Sequence, residues 1–170
     1  MLLSLFEWIQ NTGIFVYLRS SAYWYPVILA LHLSSISLFG GMIVLTDLSM
    51  LGWIPRQISA PAVVDSLRVP KRIGFLVAAT FGVLLFCCKA EQYYYNVSFR
   101  AKLALFALVA VHALVFRNRV YNRPGEMMPA GLPNLPVRLA ALLSLLLWAG
   151  ILTAGRAIGY VPAPPGLHFL

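Results

Sequence analysis

The apolar positions of this chain fall in four long, nearly unbroken runs, and most polar positions gather between them. The first run covers about 22–51, with Tyr23-Trp24-Tyr25 as an interfacial belt and Pro26 in a first turn that needs no backbone donor. A polar, proline-bearing connection over 52–70 carries Arg56, Asp65 and Arg68. The second run spans about 71–93 and closes on Tyr93-Tyr94-Tyr95. Ser98 is the expected N-cap of a third run, 98–116. Residues 117–136 form a second connection, the fourth run covers about 137–160, and a proline-rich tail fills 161–170. Runs of about 20 apolar residues have the length a helix needs to cross hydrocarbon.

The first 20 residues read differently. Leu2, Leu5, Phe6 and Ile9 share one helical side, and Ser4, Glu7, Gln10 and Asn11 take the other. This predicts an interfacial helix within 1–20, ended near Gly13, rather than a signal peptide, because no basic n-region and no small-residue cleavage site are present. The expected fold is an all-α integral membrane four-helix bundle, one domain over 1–170, with up-down neighbours joined by short connections.

Composition agrees. Hydrophobic residues make up 61% of the chain and charged ones 11%, against about 45–50% and about 25% in soluble domains. The net charge of +8 does not point to nucleic acid, because the cations sit at span ends without a basic patch interleaved with aromatics. Eight of them (Arg56, Arg68, Lys71, Arg72, Arg117, Arg119, Arg123, Arg138) lie on the side of the 1–2 and 3–4 connections, and five (Arg19, Lys89, Arg100, Lys102, Arg156) lie opposite. That bias predicts both termini outside the cytoplasm. Cys87 and Cys88 are adjacent and apolar in setting, which reads as packing rather than a disulfide framework.

The candidate chemistry lies in two histidines, His32 and His112, each inside an apolar run. An intramembrane histidine marks a functional site by default, and two on separate helices point to a haem iron held between them. The alternative for His32 is a structural hydrogen bond, since Ser34, Ser35 and Ser37 are close. Ile28, Ser35, Phe39, Gly40 and Ile43 share its face, and Gly40 either admits a macrocycle or lets two helices approach. Lys102, Arg156 and Arg100 are the cations near the outer end, positioned either for haem propionates or for snorkelling to head groups. Gly74, Ala78 and Gly82 make a small-residue stripe that reads first as helix packing. By run position the two histidines differ in depth by about 6 Å. Asp47 and Glu91 read as interfacial carboxylates, and His168 as a tail residue without a role.

Trp24, Pro26, Leu31-His32, Gly40-Gly41, Asp47-Leu-Ser-Met-Leu-Gly52 and Gly155-Arg156-Ala-Ile158-Gly-Tyr160 together resemble an uncharacterised family of small bacterial four-helix membrane proteins. Leu31-His32, Arg72, Lys102-Leu103 and His112 are also similar to HemJ-type protoporphyrinogen oxidases and to CopD-type copper-resistance membrane domains. The resemblance implies a bacterial inner-membrane location. The expected function is b-type haem binding for electron transfer between the quinone pool and a periplasmic or membrane redox partner. The alternative is a copper-handling protein using Cys87, Cys88, Met42, Met50 and His32, or a structural membrane subunit without haem.

Overall fold

The apolar runs become helices of nearly the expected extent. A computed structural model describes residues 2–53, 59–116 and 134–160, which contain eight helices and no strand. They are α1 (Leu2–Gln10), α2 (Gly13–Ser20), α3 (Trp24–Leu51), α4 (Ala60–Ser66), α5 (Arg68–Cys88), α6 (Ala90–Tyr95), α7 (Val97–Phe116) and α8 (Leu135–Ala157). Most of the second connection and the whole tail, His168 included, lie outside the described residues.

Four helices, α3, α5, α7 and α8, are long and apolar enough to cross a membrane. Each also turns leucine outward: Leu38, Leu76, Leu114 and Leu146 are 71%, 63%, 68% and 70% exposed. Water would penalise so much contiguous apolar surface, whereas lipid does not. This is a multi-pass membrane protein.

The interior follows from one seam. Along α3, Ile28, Ser35, Phe39, Ile43, Thr46 and Met50 are buried, and the half-buried His32 falls in the same row. Steps of three and four keep such a row on one face. Helix α3 packs closely against α5 and α8, and α7 packs against α8, but α5 and α7 are not a closely packed pair. The four spans therefore form an arc, α5–α3–α8–α7, with its opening between α5 and α7. At the end where α3 begins (the tyrosine end) that opening is roofed by the stacked rings of Phe86 and Phe99, 5.6 Å apart at 11°, with Tyr93 5.0 Å from Phe99. At the opposite, arginine end, Met50, Leu51, Val64, Val137, Ala140 and Ala141 form a dry cluster.

Four boundaries differ from the sequence expectation. The N-terminal segment is two helices broken at Asn11-Thr12, and it is docked rather than free in the interface: Phe6 meets Phe86 edge-on at 5.4 Å. The connection 52–70 contains α4, with proline in its first turn, where the missing donor does no harm. The second span begins at Arg68 and ends at Cys88, not Tyr93. There Arg19 Nη1 donates to the freed Cys88 carbonyl at 3.1 Å, a cation capping a helix C-terminus. Finally, Asn96 rather than Ser98 caps the third span. Its Oδ1 accepts from the Phe99 backbone N–H at 3.0 Å while its Nδ2 donates to the Ile158 carbonyl at 3.2 Å. The amide places its acceptor and its donor on two separate atoms, so Asn96 can cap α7 and reach Ile158 at once.

Candidate functional site

Both histidines are held by the same device at opposite ends of the bundle. His32 Nδ1 lies 3.0 Å from the Ala78 carbonyl of α5, and His112 Nε2 lies 3.0 Å from the Ala140 carbonyl of α8. A helical carbonyl keeps a second lone pair after accepting its own i+4 amide, so each imidazole can donate across a helix interface. The partner of His112 is main chain, which no residue type along its own run reveals.

The same contacts separate the pair. Lys102 lies close enough to the His32 ring to act on it electrostatically, and His112 is ten residues, about 15 Å, further along α7. Ala140, the partner of His112, sits in the cluster with Met50, which is about 27 Å along α3 from His32. The structure does not bring the two imidazoles to a common iron. The depth difference read from the runs was too small because each run was counted from its own end.

Around His32 the surroundings are chemically specific. The ring lies against Gly82, where a Cβ would come within 2.9 Å of Cε1. Among the described residues Nε2 makes no hydrogen bond. The Lys102 side chain turns inward, with Nζ 5.9 Å from the Phe106 ring centroid and 3.5 Å from where a Gly155 Cβ would stand. It makes no hydrogen bond among the described residues. Arg156 faces outward instead, donating to Tyr160 Oη at 2.8 Å, and Arg100 is exposed. The roof over this layer is neutral, because burial, followed by the charge and hydrogen bond of Tyr25, pushes the Tyr93 phenol well above its ordinary range.

The glycines sort clearly. A Cβ on Gly40 or Gly41 would meet nothing within 4 Å, so neither is a point of close approach. Gly74 and Gly82 are such points, against Met42 Cε at 3.0 Å and against His32, and Ala78 between them is buried. The stripe on α5 is the α3–α5 packing surface.

A second polar layer lies at the arginine end, and the sequence reading missed it. Asp47 is 2% exposed rather than interfacial. Ser144 of α8 hydrogen-bonds its carboxylate, Lys71 of α5 lies within electrostatic reach, and Oδ2 has no hydrogen-bond partner. Lys71 Nζ donates to Thr46 Oγ1 at 3.0 Å, and Thr46 Oγ1 donates in turn to the Met42 carbonyl at 2.8 Å. The signal was available, since Asp47 falls four residues after Ile43 on the seam that contains His32. Glu91 is also more than interfacial, as it accepts from Gln10 Nε2 at 2.8 Å while its backbone donates to Gln10 Oε1 at 3.0 Å.

The proposed copper donors are not gathered. Cys88 is buried at the tyrosine end and Met50 at the arginine end. Met42 packs beside Gly74. Among the described residues, no three His, Cys, Asp or Glu side chains converge as a metal site.

No curated protein and no solved structure matches the chain. Residues 5–161 match a family of unknown function, DUF6644, over a stretch that contains all four spans, and the chain belongs to that family.

Proposed function

We propose that the protein is a membrane redox protein that binds b-type haem on the open α5–α7 side of the bundle, with Nε2 of His32 as its ligand to iron. The observation that carries this reading is the imidazole itself, pinned at Nδ1 by Ala78 and without a hydrogen bond at Nε2. A bond at one ring nitrogen fixes the tautomer and orientation and raises the basicity of the other, which is how metal-binding histidines are prepared. Lys102 is the cation in place for a propionate, whereas Arg156 is engaged with Tyr160. Bound haem supplies one-electron chemistry. The chain's own part is to orient the imidazole, exclude water and set the potential through the Lys102 charge.

This reading drops the paired ligation expected from sequence: His112 lies in the other layer, and the described residues offer iron one histidine. Electrons would pass between the quinone pool and a periplasmic redox protein or neighbouring membrane subunit, with both termini periplasmic as the cation bias favours. The resemblance to HemJ-type proteins supports the reading at Leu31-His32 and no further.

The test is an oxidised and dithionite-reduced absorption spectrum of protein from a haem-replete host. His32→Ala should abolish the Soret band, His112→Ala should retain it, and the reduced protein should bind carbon monoxide. Lys102→Ala should keep the band and lower the midpoint potential, because removing a cation favours the oxidised form. Absence of a Soret band, or its loss in His112→Ala with retention in His32→Ala, overturns the reading.

A further inference from the structure

At the arginine end, a cavity of about 300 Å³ opens beside α5, lined by Phe39, Val64, Arg68, Lys71, Arg72 and Phe75. Arg68, Lys71, Arg72 and Phe75 follow the i, i+3, i+4, i+7 spacing, so one face of α5 presents three cations and then a phenyl ring as it enters the apolar depth. Phe39 lies 5.8 Å from Phe75 and continues the apolar lining. At about 30 Å³ per water, the cavity holds roughly ten waters' volume, enough for a compact phosphate-bearing headgroup.

We propose that this cavity binds the phosphate headgroup of an anionic membrane lipid, with its acyl chains lying along Phe75. Two of the three cations are engaged by the protein, and together they hold the mouth of the cavity in shape. Arg68 is paired with Asp65 at 2.8 Å, and Lys71 donates to Thr46 and lies within electrostatic reach of Asp47, so the cation offered to a ligand is Arg72. Arg72 makes no hydrogen bond among the described residues and is exposed at the rim. An anion alone would need only the charges. The order along α5, cations at the mouth and phenyl rings below, matches an amphiphile standing in the bilayer. Basic pockets between membrane helices are a recurrent headgroup site.

The site is independent of the haem reading, because it lies in the other layer. Its test uses the full-length protein in nanodiscs of phosphatidylcholine with graded phosphatidylglycerol, with bound lipid counted by native mass spectrometry. Arg72→Gln should weaken phosphatidylglycerol retention about fivefold, and Phe75→Ala should weaken it as well. Arg138→Gln removes an exposed cation at the same end of the bundle but outside the cavity, and it should leave retention unchanged. All three variants should melt as the parent does in pure phosphatidylcholine, which separates lost binding from lost fold. Equal losses for Arg72→Gln and Arg138→Gln would mean diffuse charge attraction and overturn the proposal. Displacement of the lipid by millimolar inorganic phosphate would overturn it too, by assigning the cavity to a free anion.

Discussion

Asp47 and Lys71 differ in one respect that decides how each responds to mutation. Asp47 is 2% exposed between α3 and α8, whereas Lys71 is half-buried near the start of α5 and carries a long stem that can reach the head groups. The two form no direct ion pair, but Lys71 acts on Asp47 through space, and a buried carboxylate that loses a nearby cation is less well compensated. Lys71→Met removes the hydrogen bond to Thr46 and the cation nearest a carboxylate that cannot move, so it should destabilise by about 2 kcal/mol. Asp47→Asn keeps the Ser144 hydrogen bond and leaves a cation free to turn outward, so it should change stability by only about 1 kcal/mol. Adding Asp47→Asn to Lys71→Met should recover part of the loss. Unfolding in mixed micelles measures all three, and equal losses in the two single variants would refute the asymmetry. At this scale the sequence was half legible. The period-3.5 row that holds His32 and Asp47 can be read directly, but the main-chain acceptor of each histidine cannot. A carbonyl's spare lone pair has no residue type.

Among elements, spans α3, α7 and α8 were legible to within two residues at most ends, because bilayer thickness imposes length and apolarity at once. The end of α5 was not, because the residues that stop it, Arg19 and the Gln10–Glu91 pair, are supplied from far away in sequence. The glycines show the same divide. Composition alone does not distinguish Gly40, with empty surroundings, from Gly82, whose missing Cβ makes room for the His32 ring. Gly40→Ala should therefore be neutral or stabilise by about 0.5–1 kcal/mol through helix propensity. Gly82→Ala forces the imidazole off the Ala78 carbonyl and should destabilise by about 1–3 kcal/mol. Thermal melts of the two variants side by side check this, and a Gly82→Ala protein as stable as Gly40→Ala would show that the α3–α5 interface is looser than described.

The whole molecule is an arc of four spans with a clamp over one end. Helices α1 and α2 do not cross the bundle, yet Gln10 is 3% exposed and exchanges two hydrogen bonds with Glu91. Arg19 reaches from α2 to the Cys88 carbonyl and lies 3.5 Å from that of Gln10. The clamp therefore grips the junction of α5 with α6, beside the Phe86–Phe99–Tyr93 roof of the α5–α7 opening. Its stability rests on few buried groups, and segments of that kind open at free energies well below global unfolding. Gln10→Ala leaves the Glu91 carboxylate and amide without their partners, and Arg19→Ala uncaps α5. The double variant should raise hydrogen exchange across 2–20 and 89–96 together, while the interiors of α3 and α8 stay protected. On the proposed haem reading, if the His32 layer depends on its roof, haem occupancy should also fall in the same variant without any change to His32 or Lys102. Exchange that rises equally in all four spans would instead make the hairpin part of one cooperative unit, and the clamp would then have no separate existence.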